Sequence, residues 1–356
     1  MKPGDHYGIH RSIEPPNTLP QPAWRIDPSL PIYDNELLLD VTTLNIDAAS
    51  FQQIKREVGG TKEAVATRIL QIVHERGKMH NPVTGSGGML IGKIRQWGER
   101  FPHSELQIGQ EVATLVSLSL TPLSIHQIHD ICMETGQVEV EGEAILFASG
   151  IFAPIPQELP RRVALAVLDV CGAPGQIAKL VQPEQRVVIL GAGGKSGVLS
   201  LFQARKQLGN TGQLLALEYS AEACDWLRQL HIADEVIQVD ATQPVEVLKQ
   251  VEAATAGELA DLVINCVSMP HTEMAAILST RQGGITYFFS MATSFTAAAL
   301  GAEGVGKDIQ MVIGNGYTAG HVQAAFEAIW EHPQIAAWFY QRYAGISIEA
   351  EKERME

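Results

Sequence analysis

The sequence predicts an α/β protein in two parts, a compact domain of short strands followed by a doubly wound parallel sheet. Three observations lead there. Between Met89 and about Phe152 the apolar stretches are short and separated by Gly and Pro turns, with no long helical repeat. From Arg186 onward, strand-like and helix-like stretches alternate, the pattern of parallel βαβ units with right-handed crossovers. In the first of these units the apolar run Arg186–Leu190 feeds a glycine turn, Gly191-Ala192-Gly193-Gly194, that opens directly into a helix.

Taken in order, residues 1–35 hold Pro15, Pro16, Pro20, Pro22, Pro28 and Pro31 and read as an extended, irregular lead-in. Glu36–Thr43 is the first strand. Ala49–Val58 and Lys62–Gly77 read as helices, the second with Val65, Ile69, Ile72 and Val73 on one side. The turn Thr84-Gly85-Ser86-Gly87-Gly88 opens strands at Met89–Gln96, Gln110–Leu120 and Gln137–Phe147, in the last of which Glu139, Glu141 and Glu143 mark the solvent face. Glu158–Ala178 reads as a helical linker. Strands then follow at Arg186–Leu190, Gln213–Leu217, Glu235–Gln238, Asp261–Cys266, Gly284–Phe289 and Ile309–Ile313, with helices Gly197–Leu208, Glu222–Leu230, Val245–Ala254 and Thr272–Leu278 between them. Gly320–Tyr343 is helical and rich in aromatic residues. The expected organisation is a first domain over 1–155, the parallel sheet over 156–320, and a C-terminal helical segment over 321–356 that packs back onto the assembly.

Composition narrows the class. The chain has 356 residues, 46% hydrophobic and 19% charged, which suits a folded globular protein of about two domains. No apolar run reaches the roughly 18 residues that span a bilayer, and the polar N-terminus lacks a secretory core. Cys132, Cys171, Cys224 and Cys266 are far apart in sequence, so neither a disulfide framework nor a Cys-rich zinc lobe is expected and a reducing cytoplasm fits. A net charge of −14 argues against nucleic acid and favours a cationic small substrate.

The glycine turn carries the first chemical signal. Glycines let the main chain turn tightly and approach a pyrophosphate, while the start of the helix offers free N–H groups and a partial positive charge. Two registers are open: Gly191 and Gly193 begin a GxGxxG motif whose last glycine is replaced by Ser196, whereas Gly191, Gly194 and Gly197 fit GxxGxxG without exception. The next strand ends at Glu218-Tyr219, with Glu218 lying 21 positions after Gly197. That is the place of the acid that bonds the adenosine ribose of a dinucleotide and disfavours a 2′-phosphate, so NAD is expected over NADP in a Rossmann unit. Lys195, Ser196 and Val198 belong to the same turn; Lys195 either touches the pyrophosphate or is simply exposed. Asp240, Asn265, Cys266, Val267, Ser290 and Met291 fall at the carboxyl ends of later strands, where they line the cofactor or merely cap the strand ends.

With these residues in hand, the chain resembles the medium-chain dehydrogenase/reductase superfamily over nearly its whole length. Glu36–Ser50 looks like the first strand and active-site loop of that superfamily's GroES-like β-barrel domain, the stretch from Gly88 to Gly109 like its next strands, and Val187–Gly197 like its cofactor loop. Leu44–Phe51, His80–Gly92 and Gly191–Ser200 are similar to a branch that oxidises the C3 amine of a diamino acid with NAD, releasing ammonia in lysine breakdown. The resemblance implies a small-molecule diamino acid substrate and a homo-oligomer, a dimer. Where zinc-type members carry Cys and Asp after the first strand, this chain has Asp47 and Ser50; where they carry Gly-His-Glu, it has Val83-Thr84-Gly85. A catalytic zinc needs three protein ligands and an open position, so none is expected.

Asp47 is the leading candidate to bind the substrate ammonium and take its proton; the other reading makes it the N-cap of the following helix. His80, Asn81 and Thr84 either offer donors to a substrate carboxylate or serve turn chemistry around Pro82. His126, His129 and Cys132 recur every three residues, yet lack a fourth ligand and read as ordinary residues of a loop or half-helix. Two other functions fit the cofactor motif: a zinc-free quinone or enoyl reductase using NADPH, and a non-catalytic dinucleotide-binding protein.

Overall fold

The computed structural model describes residues 1–102, 106–314 and 316–347, so the last nine residues of the C-terminal segment lie outside the description. The chain forms two compact units, Met1–Leu165 and Ala166–Glu356.

In the first unit, β1 (Ser12–Glu14) and β2 (Arg25–Ile26) make a small antiparallel pair. The elements β3 (Glu36–Asn45), α1 (Ala48–Val58), α2 (Lys62–Arg76), β4 (Met89–Trp97), β5 (Glu111–Thr114), β6 (Leu123–Ile131), β7 (Gln137–Phe147) and β8 (Phe152–Pro154) follow. The last six strands form one antiparallel sheet in the order β6-β7-β3-β4-β5-β8. β3 is central because its side chains are buried on both faces; Leu37, Leu39, Val41 and Leu44 share a core with Phe51 and Ile54 of α1 and Val65, Ile69 and Ile72 of α2. The register of β3 shifts between Val41 and Thr43 against both neighbours, an irregularity of the kind that bends a strand.

Two sequence expectations need correction here. β5 ends at Thr114 rather than Leu120, because Leu120 N–H and the Thr121 hydroxyl turn back onto Ser117 O instead of joining a ladder. The stretch holding His126 and His129 is a strand, β6, not a loop or half-helix. It lies at one end of the sheet and buries few residues, so its alternation is blurred in the sequence.

The proline-rich lead-in is irregular but firmly held. Arg11, 1% exposed, donates from Nε and Nη2 to both carboxylate oxygens of Glu36 (2.8 and 2.7 Å), and its Nη1 donates to Asp27 O and Ser29 O. Asp5 N–H donates to Nδ1 of His10, so Nε2 carries the proton and donates to Glu36 Oε1 at 2.8 Å. Lys78, fully buried, donates to Pro20 O and Gln21 O at 2.6 and 2.9 Å.

The second unit opens within α3 (Arg161–Leu168) and α4 (Gly172–Leu180), the two helices into which the expected linker divides. It continues with β9 (Arg186–Leu190), α5 (Lys195–Leu208), β10 (Gln213–Glu218), α6 (Ala221–Leu230), β11 (Glu235–Gln238), α7 (Pro244–Ala254), β12 (Ala260–Asn265), α8 (Glu273–Ser279) and β13 (Thr280–Phe288). α9 (Phe295–Gly304), which the sequence reading passed over, precedes β14 (Gln310–Ile313), α10 (His321–Glu331) and α11 (Pro333–Phe339). All six strands are parallel in the order β11-β10-β9-β12-β13-β14, so the winding reverses between β9 and β12, where ligands bind in doubly wound sheets. Val188, Leu190, Leu215, Leu217 and Val263 form a core with residues of α7, α8 and α9. The alternate residues Val187, Ile189, Leu214, Ala216 and Ile264 are equally buried and face the other side, on which α5 packs with α4 and α10.

The Glu36 cluster makes a stability prediction. Burial pushes the Glu36 carboxyl up, but the hydrogen bonds from Arg11 and His10 and the charge of Arg11 outweigh this and hold it below its ordinary 4.5. A depressed carboxyl stabilises the fold above the unfolded-state value, and that contribution is lost as pH falls through the folded-state value. Glu36→Ala is expected to cost about 3–5 kcal/mol near neutral pH by stranding the Arg11 charge, with the deficit shrinking in acid; denaturant midpoints across pH measure it.

Candidate functional site

β9 ends in a turn at Gly191, where φ is +74°, a conformation that favours glycine. The N–H groups of Gly191 and Ala192 both donate to Leu217 O of β10, at 2.9 and 3.2 Å. A Cβ at Gly197 would lie 2.2 Å from Gly191 O, so this glycine lets α5 pack onto the turn. At Gly193 a Cβ would come within 2.8 Å of Ala223 Cβ and 2.9 Å of Glu218 Oε2. Gly194 is different: its φ is −81° and a Cβ there would meet only Gly191 O at 3.8 Å. It is the N-cap of a 14-residue helix that no side chain caps. The open side of Gly194 therefore leaves the start of α5 accessible to an anion, where N–H groups and the helix dipole favour negative charge. The structure thus uses Gly191 and Gly193 for the turn and Gly197 for packing, drawing on both sequence registers.

Glu218 sits at the end of β10 with its carboxylate fixed by three main-chain donors. Oε2 accepts from Gly193 N–H at 2.8 Å; Oε1 accepts from Tyr219 N–H at 2.8 Å and Ser220 N–H at 3.1 Å. It borders a cavity of about 890 Å3, within the roughly 300–1,000 Å3 range of ligand pockets. Of the expected cofactor residues, Gly191, Gly193, Gly194, Glu218, Tyr219, Asp240, Cys266 and Val267 line this cavity. Asp240 accepts from the Thr242 N–H and hydroxyl, which hold its carboxyl below the usual range, and burial pushes the Cys266 thiol up to about 11.

The remaining expected residues are placed otherwise. The Lys195 ammonium pairs with Asp169, and the Tyr343 ring lies 6.0 Å from it. Burial works against its charge, yet Asp169 and Tyr343 leave its pKa raised. Ser196 acts on the Cys266 thiol, partly offsetting the rise that burial causes, and Val198 is fully buried. Asn265 is fully buried within its own loop, donating to Thr272 Oγ1 at 2.9 Å and accepting from Val267 N–H at 3.0 Å. The Ser290 hydroxyl accepts from Ala292 N–H, Met291 is 73% exposed, and neither lines the cavity. Ser268, in the same expected strand-end loop as Cys266 and Val267, also lines it, whereas sequence reasoning missed Trp226, Thr242, Met269, Trp338 and Arg342, which do so too. The first three of these lie just after strand ends or on the helix behind Glu218, where position alone signals them; Trp338 and Arg342 come from a segment that carries no motif.

In the first unit, the two loops singled out after β3 and before β4 are knit together. A Cβ at Gly88 would lie 2.0 Å from Asn45 O and 2.8 Å from Asp47 N, so these loops touch main chain to main chain. The Ser50 and Thr84 hydroxyls share a hydrogen bond of 2.6 Å. Asn81 donates to Ser50 O and Gln53 Oε1 and accepts from the N–H groups of Val83 and Thr84, so its side chain serves the turn. Asp47 Oδ1 caps α1 by accepting from Ser50 N–H at 2.9 Å, while Oδ2 is buried with no hydrogen-bond partner. His80 Nδ1 is likewise buried and unpartnered. Burial, then the charges of Lys78 and Arg76, push the His80 imidazole down to about 4 despite a main-chain hydrogen bond at Gly85. It is therefore neutral at physiological pH. Among the described residues no three His, Cys, Asp or Glu side chains are grouped so that they could hold a metal ion.

Residues 10–156 match the family model described as the L-erythro-3,5-diaminohexanoate dehydrogenase N-terminal domain. A curated protein of that enzyme name from Acetoanaerobium sticklandii is 51% identical over 341 residues, covering 96% of this chain and 99% of its own. Another, from Fusobacterium nucleatum, is 49% identical over 344 residues, covering 96% of this chain and 100% of its own. Among solved structures, a mycobacterial quinone oxidoreductase superposes with a TM-score of 0.55 at 13% identity, over 93% of this chain and 91% of that one. The CurK enoyl reductase does so at 0.54 and 16%, over 96% and 95%. The structural likenesses establish the medium-chain dehydrogenase/reductase fold, and with the dehydrogenase relatives they imply a nicotinamide dinucleotide cofactor.

Two measurements probe these geometries. Gly197→Ala is expected to cost about 1–3 kcal/mol of stability or more, whereas Gly194→Ala leaves the denaturant midpoint unchanged; equal losses would refute the division of labour in the turn. For His80, the folded-state value lies below the unfolded 6.5, so stability should decline as pH drops from 6.5 towards about 4. His80→Gln should flatten that decline in acid-titrated unfolding curves.

Proposed function

The chain belongs to the L-erythro-3,5-diaminohexanoate dehydrogenase family, and on that premise we propose that it catalyses NAD-dependent, zinc-independent oxidative deamination of L-erythro-3,5-diaminohexanoate to 5-amino-3-oxohexanoate and ammonia. The near full-length identity to two proteins of that name carries the reading. The net charge of −14 suits a substrate bearing two ammonium groups.

The reaction requires the C3 ammonium to lose a proton, the C3–H bond to break with hydride loss, water to add to the resulting iminium carbon, and ammonium to leave. The bound dinucleotide supplies the hydride acceptor, and the proton steps fall to the protein. Asp47 is the group we assign to the substrate ammonium. One of its oxygens is committed to capping α1, whereas the other is buried without a donor, a cost that a bound ammonium would relieve. Neutral His80 adds no positive charge that would repel an ammonium. The Ser50–Thr84 hydroxyl pair and the His80 loop offer donors to the substrate carboxylate. Zinc independence is supported by the donor set: the positions that hold ligands in zinc-type relatives carry Asp47, Ser50 and Val83-Thr84-Gly85. In the second unit, Glu218 supports NAD over NADP, because its fixed carboxylate can accept from ribose hydroxyls and repels a 2′-phosphate.

NADH formation should appear on adding L-erythro-3,5-diaminohexanoate and be absent with quinone or enoyl substrates; turnover of quinones alone would overturn the reading. Asp47→Asn is expected to lower kcat by about two to four orders of magnitude, and an unchanged rate would remove Asp47 from the proton step. Glu218→Ala should weaken NAD and narrow its advantage over NADP, as seen in the ratio of kcat/KM for the two cofactors.

A further inference from the structure

One wall of the cavity beside Glu218 comes from outside the strand–helix alternation. Trp338 of α11 and Arg342 of the turn after it both line the cavity. The Trp338 ring stacks on Trp226 of α6, with centroids 5.1 Å apart and planes 21° from parallel. The Arg342 guanidinium carbon lies 5.2 Å from the Trp338 ring centre. Arg342 is exposed and, among the described residues, pairs with no carboxylate, although Glu218, Glu222 and Asp240 also line the cavity.

The backbone carrying Arg342 is unusual. Tyr340–Ala344 is a π-helical turn, closed by Gly345 at φ +69°. Such turns are rare and gather at functional sites, because the extra residue per turn re-aims side chains. Here Arg342 reaches the cavity while its neighbour Tyr343 covers Lys195, the first residue of α5 and itself paired with Asp169. The C-terminal segment is thereby tied both to the cavity and to the helix whose start no side chain caps.

We propose that Trp338 and Arg342 bind the adenine end of the dinucleotide, the purine packing against the Trp338 indole with the Arg342 guanidinium as a second flat partner. An indole held by a neighbouring ring presents a rigid face to a base, and a guanidinium already stacked on that indole needs little reordering to contact a purine. The cavity's polar side, formed by Glu218 and Asp240, is left for the ribose. This assignment rests on the reading that the cradle takes a nicotinamide dinucleotide, and not on the amine chemistry.

Calorimetric titration of the full-length protein with NAD, NADP and ADP tests it. Trp338→Ala and Arg342→Ala should each raise Kd for NAD and for ADP roughly tenfold. Trp338→Phe, which keeps a flat ring, should bind both within about twofold of the parent. Unchanged Kd values in Trp338→Ala, or a loss that Trp338→Phe shares in full, would overturn the purine assignment. Weakening of NADP alone in Arg342→Ala would move Arg342 from the purine to a phosphate and overturn its part. A chain that shows the expected binding pattern but does not oxidise L-erythro-3,5-diaminohexanoate supports this inference while refuting the proposed substrate.

Discussion

The glycine turn after β9 depends on one convergence of charge: three main-chain N–H groups, from Gly193, Tyr219 and Ser220, aimed at the carboxylate of Glu218. Hydrogen bonds to a charged acceptor are roughly twice as strong as neutral ones, and the one from Gly193 reinforces the junction that Gly191 and Ala192 make with Leu217 O. The bond from Gly193 draws the glycine turn against β10, and the close approach of Ala223 leaves no space there for a side chain. From that fixed point, α5 begins in the right place with its N-terminus unobstructed. The cavity beside Glu218 then follows from the geometry of a doubly wound sheet at its switch point.

The first unit makes the same kind of contact with different means. The loops after β3 and before β4 are separated by α1 and α2 in sequence but meet main chain to main chain at Gly88 and Asn45–Asp47. Asn81 spends all of its side-chain hydrogen-bonding capacity on that junction, while Asp47 Oδ2 and His80 Nδ1 are buried there without partners.

Much of this was legible because the relevant signals are local. A buried five-residue strand, a glycine turn, a helix and an acid at the end of the next strand are consecutive features, and the parallel sheet, Glu218 and the cavity-lining glycines follow from them. Asp47 was readable as a cap for the same reason, since capping involves only the next three residues. What escaped was set by tertiary placement. β6 lies at an end of its sheet and shows little alternation; α9 is dominated by Ala and Gly and has almost no amphipathic contrast. Lys195 adjoins the glycine turn in sequence, but its ammonium is drawn to Asp169, a residue 26 positions earlier. Trp338 and Arg342 could not be found by motif at all, because their relation to Glu218 exists only once the C-terminal helices have docked.

That docking gives the second unit an order of events. The cavity's lining runs from Leu190 to Arg342, so nearly the whole unit must be synthesised and folded before the pocket is complete. A ligand that recognises only the finished pocket stabilises the unit as a whole by mass action and cannot stabilise a nascent or C-terminally frayed form. Copies shortened within their final helices would lack Trp338 and Arg342 from this lining, and with them any such stabilisation by a ligand of the pocket.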